Sequence, residues 1–413
     1  MNRFAFEVVE RLRSAGFQAL WAGGCVRDLF LGKHPSDYDV ATNAVPEQVM
    51  KLFKRTVPVG VSFGVVRVQG PLRGLEVEVA TFRSDGRYLD GRRPEEVTFG
   101  SASEDAARRD FSINGMYLDP LSGQIIDYVG GQADLEAGIV RAIGDPHRRF
   151  QEDKLRLLRA IRFAGRFGFQ IETQTRNAIE KHAAEISVVA PERIAQELFK
   201  ILQHSSRAYG IRLAHQTGLL ATILPEVDQH YLAVGEHLEA VLERLMPGPD
   251  SSHVLGLAAL LHELEPGDPE LSARRAIEVA QKLRLSNADR ERLEWLIEHH
   301  ATFDHIAEAT PAVRKKLFVE PGMGDLLCLA RAHAESQQQS TRHVDFVEQY
   351  LNTLPEGSLD PAPLIGGRDL QNLGIPAGPI FKRLLDQVRD EQLNGTITTH
   401  DQAVAWVKNH YSP

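Results

Sequence analysis

Residues 22–44 read AGGCVRDLFLGKHPSDYDVATNA, placing two glycines, an Arg-Asp pair and an Asp-x-Asp within one short stretch. Apolar residues lead into Gly23 and Gly24, so the stretch reads as strand, glycine loop and helix. Glycines let a backbone approach a phosphate, and a helix start faces an anion. Arg27 lies just inside that helix. A Gly-Gly pair alone is usually a turn. Residues 366–369 repeat the Gly-Gly-Arg-Asp pattern with no Asp-x-Asp behind it, and they read as a plain helix start. Asp37 and Asp39 make the first copy different. In a strand, residues i and i+2 share a face, so the two carboxylates converge and repel unless a cation lies between them. Magnesium prefers such oxygen ligands, completed by substrate phosphates, and two-metal phosphoryl chemistry needs this arrangement. The competing reading is an Asx-rich turn after KHPS. A third carboxylate would deprotonate an attacking hydroxyl. Glu76 and Glu78 in LEVEVATF share a strand face, and Glu78 is the candidate; the alternative is a solvated strand residue.

These residues need a small sheet to hold them. GVVRVQG and LEVEVATF are rich in β-branched residues and are separated by the turn signal PLRG, which predicts a hairpin. MNRFAFEVVERLRSAGF predicts an amphipathic helix; charges at Glu7, Glu10 and Arg11 rule out a signal peptide. Beyond Gly131 the spacing turns helical and stays so to the end. Pro/Gly/Ser-rich stretches at 246–252 and 354–367 are candidate boundaries. The 413 residues exceed one usual core, and 43% hydrophobic with 25% charged residues is a soluble balance. No apolar run reaches membrane-span length. Two cysteines, Cys25 and Cys328, without metal-type spacing fit a reducing cytoplasm. A net charge of −9 argues against a wholly basic surface, but not against a local basic groove.

Four motifs occur in order: GGCVRD…LG…SDYDVATNA, ARRDFSINGMYLDP, EDKLRLLRAIRFAGRFGF and PERIAQEL. Together they resemble the class II tRNA nucleotidyltransferases and bacterial poly(A) polymerases of the polymerase-β-like superfamily. The resemblance covers roughly residues 20–200 and is looser beyond. Cys25, Ser112 and Gly115 depart from the usual residues without touching a charged group. The resemblance implies an α+β fold: a small head with a mixed sheet (1–130), then a helical neck reading the base (131–200), a helical body (201–355) and a helical tail (356–413). It implies Mg2+-dependent addition of CCA to tRNA 3′ ends from CTP and ATP, without a nucleic-acid template, by a cytoplasmic monomer. A-only addition and poly(A) synthesis share every motif. Poly(A) polymerases usually carry a basic C-terminal extension, whereas this sequence ends WVKNHYSP. A reading from another class is a non-catalytic RNA-binding module, against which Asp37, Asp39 and the arginines speak.

In RRDFSIN, guanidinium groups such as those of Arg108 and Arg109 grip phosphate through a planar fork. The resemblance implies that Asp110 and Asn114 position the ribose. Between Arg141 and Arg166 eight Lys or Arg face three Asp or Glu, a basic segment in an acidic chain. HRRFQEDKLRLLRAIRFAGRF reads as one helix in which Arg156, Arg159 and Arg162 share a broad face, as a row of donors along a nucleotide. Asp153 and Arg156, three apart, would lie side by side. A carboxylate accepts from an exocyclic amino group while Arg donates to a ring nitrogen, which suits cytosine and adenine and leaves uracil and guanine unpaired. An intrahelical salt bridge is the competing reading. The polar, glycine-rich segment 81–99 is expected to be mobile; relatives that add only the two cytidines lack most of it, so its presence predicts terminal A addition. LAALLHELEP around His262 resembles the helix bearing the His-Asp pair of metal-dependent phosphohydrolase domains. Glu263 replaces that Asp. His237, His299 and His300 stand in suggestive places, but nothing else completes the motif, so a degenerate helical remnant is expected.

Overall fold

Ala5, Val8, Val9 and Leu12 recur at helical spacing and bury one stripe of α1 (Asn2–Ser14). The computed structural model describes residues 2–86, 97–355 and 357–411. After α1 come β1 (Ala19–Ala22), α2 (Gly24–Phe30), β2 (Asp39–Thr42), α3 (Pro46–Leu52), β3 (Thr56–Gly60), β4 (Val65–Gln69) and β5 (Glu76–Thr81). The short β6 (Arg83–Asp85) and β7 (Val97–Phe99) pair with each other. The centre of the segment expected to be mobile, 87–96, lies outside the described residues. Then follow α4 (Ala102–Ala107), β8 (Tyr117–Leu118) and β9 (Ile125–Ile126).

The main sheet runs β3-β4-β5-β2-β1-β8-β9. All its pairings are antiparallel except β2 with β5, so the sheet is mixed. The predicted hairpin is β4–β5. Every residue of β1 is buried, as expected of a central strand covered on both faces. Helices α1 and α3 pack on the sheet.

Helices dominate after the sheet: α5 (Gly131–Ala137), α6 (Pro146–Glu152), α7 (Leu155–Phe167), α8 (Thr173–His182) and α9 (Pro191–Leu202). One short parallel pairing, of Ile139–Val140 with Gln170–Ile171, interrupts them. The helix expected from His147 onward is two helices, because Asp153 is extended (φ −147°, ψ 107°) between α6 and α7. Asp145 caps α6, accepting from the His147 N–H at 3.0 Å.

The chain divides into two compact units, Met1–Ala233 and Val234–Pro413. The division falls inside the helix Pro225–Arg244, at the non-helical Val234. The second unit is helical among its described residues. Its last segment gathers its own core from Ile365, Leu370, Ile375, Leu384, Val388 and Val407. The second Gly-Gly-Arg-Asp does start a helix, Gly367–Asn372. Among the described residues no helix is long and apolar enough to cross a membrane.

Candidate active site

The parallel register of β2 with β5 sets Asp39 directly opposite Glu78. Strand β2 begins at Asp39, so Asp37 stands just before the strand rather than within it. Asp39 is solvent-accessible at the start of β2 and lines a cleft. Desolvation by the protein packed around its carboxyl, then Glu78 and Asp37, push its pKa up to about 6 against the pull of Arg109. Like charges gathered at one point call for a cation. Glu78 rests against Arg67 at 3.2 Å, and Glu76 lies 3.3 Å from the same guanidinium. Glu78, not Glu76, is the one beside Asp39. The oxygen-only set of Asp37, Asp39 and Glu78 suits a hard divalent ion. Among the described residues, the groups whose ligating atoms lie within 4.8 Å of one another are histidine-rich sets of the second unit, not these carboxylates.

The cleft holds about 490 Å³, with Gly23, Gly24 and Asp39 on one side. Gly23 is left-handed (φ 71°), and a Cβ there would meet Arg109 Nη1 at 2.8 Å, so only glycine fits this turn. Arg109 is held from three sides. Its Nη2 donates to Asp105 Oδ2 (3.0 Å), its Nη1 to the Asn114 carbonyl (3.2 Å), and its plane lies over Tyr117. Arg27 is buried against the rings of Phe163 and Phe167. It donates to Asp28 (2.8 Å) and to Asn114 Oδ1 (2.6 Å). Asn114 Nδ2 in turn donates to Asp110 Oδ1 (3.0 Å), and Arg159 Nε to Asp110 Oδ2 (2.9 Å). One polar chain thus runs Asp28–Arg27–Asn114–Asp110–Arg159. Burial opposes ionisation of Asp110, yet Arg159 and the Asn114 and Phe111 donors hold its carboxyl well below the usual range.

Asp153 and Arg156 both line the cleft but do not pair with each other. The break at Asp153 removes the shared helix face on which that pairing rested. Arg156 Nη1 donates to Glu152 Oε2 (2.8 Å) and to the Arg149 carbonyl (3.0 Å). Asp153 Oδ1 accepts from the Leu155 N–H, and Oδ2 accepts from Arg193 at 3.0 Å. Arg159 also lines the cleft, whereas Arg162 turns to Glu197 at 3.0 Å and is not among the lining residues. Burial brings the Arg162 pKa down to about 10. The expected row of three arginines is therefore two, with Arg193 joining from α9.

Sequence reasoning missed Asp105, Glu152, Arg193 and the use made of Phe163. Buried Asp105 clamps both Arg108 (2.7 Å) and Arg109. Its spacing, i+3 and i+4 to the two arginines, was the available signal. Ser101 and Glu104 form a capping box that starts α4 and so aims Asp105 at them. Glu152 gathers Arg149 and Arg156, while Arg149 donates to the carbonyls of Ala107 and Arg108 and seats α6 against the RRD turn. Phe163 lies beneath Arg27, Arg159 and Arg162, so what reads as packing is a platform for guanidinium planes.

Comparison with known proteins follows the same residues. A family model described as the poly A polymerase head domain matches residues 19–141, and one described as a probable RNA and SrmB-binding site of polymerase A matches 168–231. A CCA-adding enzyme of Lactiplantibacillus plantarum is 43% identical over 59% of this chain and 57% of its own length, so this match spans little more than half of that relative. A CCA-adding enzyme of Geobacillus thermodenitrificans is 31% identical over 98% of this chain and 96% of its own. The crystal structure of a Bacillus stearothermophilus CCA-adding enzyme in complex with CTP superposes with a TM-score of 0.79, at 28% identity, over 98% of this chain and 96% of that one.

Proposed function

Since the chain belongs to the family of CCA-adding enzymes and bacterial poly(A) polymerases, we propose that it completes tRNA 3′ ends with CCA, drawing on CTP and ATP without a nucleic-acid template. The observation that carries this reading is the cleft itself, where the glycine turn and Asp39 meet arginines from four stretches of the chain. The Gly23–Gly24 backbone and Arg109 hold the triphosphate. Asp110 and Asn114, locked to each other, position the ribose. The tRNA 3′-hydroxyl attacks the α-phosphorus and pyrophosphate leaves. Magnesium bound to Asp37 and Asp39 would supply charge neutralisation at the phosphates and lower the pKa of that hydroxyl. The Glu78 carboxylate, across the strand pair from Asp39, accepts the hydroxyl proton.

Base choice falls to Asp153, Arg156 and Arg193. Asp153 accepts from the amino group of cytosine or adenine, and a guanidinium donates to the adjacent ring nitrogen or carbonyl. The division into head, neck, body and tail at 130, 200 and 355 accompanies this reading, and the separate core of the last segment supports a tail. We place the reaction in the cytoplasm, with the chain acting as one copy.

The test offers tRNAs ending before CCA or after CC, with CTP and ATP supplied separately. Addition of two cytidines and one adenosine, then arrest, is expected. Addition only to the CC end makes this an A-adding enzyme. Continued adenylation makes it a poly(A) polymerase, the reading that the description of the head-domain family favours. No incorporation on either substrate reduces it to an RNA-binding module.

A further inference from the structure

Glu152, Asp153 and Lys154 stand in a row at the break between α6 and α7, and each is tied in a different direction. Glu152 accepts from Arg156 of α7 at 2.8 Å, Asp153 accepts from Arg193 of α9 at 3.0 Å, and Lys154 Nζ reaches Glu185 Oε2 at 2.9 Å. The first two ties involve residues of the cleft wall, whereas the third leads away from it. Glu185 lies in the 3-10 helix Ala183–Val188, which follows α8. The Lys154 side chain is only 17% exposed, although lysine is ordinarily a solvated residue.

Glu185 is held on its other side as well. Its Oε1 lies 2.6 Å from Nδ1 of His182, the last residue of α8. His182 is buried, and its Nε2 lies 3.0 Å from Nδ1 of His147. A carboxylate only accepts, so His182 Nδ1 carries a proton, and in the neutral ring Nε2 accepts from the His147 Nδ1–H. Hydrogen bonds from His182 and Lys154 hold the Glu185 carboxyl below its ordinary range. An exposed lysine–glutamate pair alone does little. Here a buried imidazole fixes the carboxylate, and a network with its partners in place holds one geometry. His147 is in the first turn of α6, and Lys154 is the N-cap of α7. The chain His147–His182–Glu185–Lys154 therefore grips both sides of the break. Lys154 is already helical (φ −65°, ψ −20°), so a change in the angle between α6 and α7 passes through the two dihedrals of the extended Asp153.

From this geometry we infer that Lys154 and Glu185 are positioning residues for base choice: the clasp sets the angle between α6 and α7 and so aims the Asp153 carboxylate. Neither residue lines the cleft, and both act through Asp153. The inference rests on the proposed reading of the base at Asp153. An acceptor that selects an exocyclic amino group has to stay within roughly 0.5 Å of its productive place. Released from the clasp, Asp153 leaves that place for part of the time. Cytosine and adenine then lose part of their advantage over uracil and guanine.

The test makes two measurements on Lys154→Met, Glu185→Gln and the double variant of the full chain. The first is hydrogen exchange at the Leu155 and Arg156 amides, which donate to Asp153 Oδ1 and to the Asp153 carbonyl at 3.1 and 3.0 Å. Both should exchange about tenfold faster in each variant, with the melting temperature near that of the parent. The second is the preference for CTP over UTP in single-turnover incorporation. It should fall roughly three- to tenfold in each single variant, less than on removing Asp153 itself. The double variant should fall no further, because both changes open one clasp. Lys154→Arg keeps the charge and should stay near the parent in both measurements. Unchanged exchange overturns the inference. Faster exchange with unchanged nucleotide ratios, or a uniform loss of rate for every base, makes the clasp merely structural and overturns it too. A parent that itself shows no preference between CTP and UTP overturns the underlying reading of the base, and the inference with it, even where exchange responds.

Discussion

Single residues carry the sharpest expectations. If Asp39 holds the cation, Asp39→Ala abolishes incorporation and leaves tRNA affinity near normal, because phosphate contacts with basic groups dominate RNA binding. A filter-binding curve beside a single-turnover assay separates the two, and substantial residual turnover sinks the assignment. The proposed reading of the base at Asp153, whose partner is Arg193, has a direct test. Asp153→Ala should lower the preference for CTP and ATP over UTP and GTP by about one to two powers of ten, from roughly 1–3 kcal/mol of lost discrimination. Rates measured for all four nucleotides decide it; a uniform loss with unchanged ratios makes the pair structural. Asp110 gives a pH dependence. Its carboxyl titrates lower in the folded chain than in the unfolded one. Its stabilising effect is therefore complete above the unfolded carboxylate pKa of about 3.9 and is lost as pH falls below it. Asp110→Asn should be less stable than the parent at neutral pH, with the gap narrowing under acid. Denaturant unfolding across that range measures it, and a gap independent of pH counts against the ion pair.

Elements decide whether those residues meet. At the turn into α2, Gly23→Ala meets both a left-handed backbone and Arg109 Nη1. A backbone cost of about 1–2 kcal/mol is expected. Displacement of Arg109 should raise KM for the nucleotide more than it lowers kcat; an unchanged KM would show that Arg109 does not grip the triphosphate. The turn, the β4–β5 hairpin and α1 were legible because their signals are local: a Gly pair, a PLRG turn, an apolar stripe. The parallel β2–β5 pairing that sets Glu78 beside Asp39 was not, since register between strands 39 residues apart leaves no local mark. The break at Asp153 was hidden for another reason. Its flanks both have helical spacing, and the residue is drawn out by Arg193, a partner on a distant helix.

Over the whole molecule, net charge and local charge point in opposite directions. The chain carries −9 overall, yet Arg108, Arg109, Arg156, Arg159 and Arg193 line one cleft. An acidic body should repel nucleic acid everywhere except along the basic groove. Affinity for tRNA should accordingly fall by roughly an order of magnitude or more between 50 and 200 mM salt, in a straight line on logarithmic axes. A titration series with labelled tRNA tests this, and a flat response rules out a groove built on phosphate contacts. The helical texture after Gly131 was readable, but the short strand pair of Ile139–Val140 with Gln170–Ile171 that interrupts it was not. The division at Val234 was not, because it is a kink inside one helix rather than a change in composition.

The polar chain from Asp28 to Arg159 also fixes when the cleft comes into being. Arg27 and Asn114 are 87 residues apart, Asp110 and Arg159 are 49 apart, and Arg166 reaches back 138 residues to Asp28. Contacts so distant along the chain close late in folding. During synthesis the glycine turn emerges early and then waits, with Arg27 lacking the Phe163 and Phe167 rings and Asp110 lacking Arg159, until α7 has left the ribosome. A nucleotide has nothing complete to bind before that moment, so it acts as a seal on the finished assembly rather than as a template for it. Hydrogen exchange should slow together in α2 and α7 when CTP is added, although the two helices are far apart in the order of synthesis.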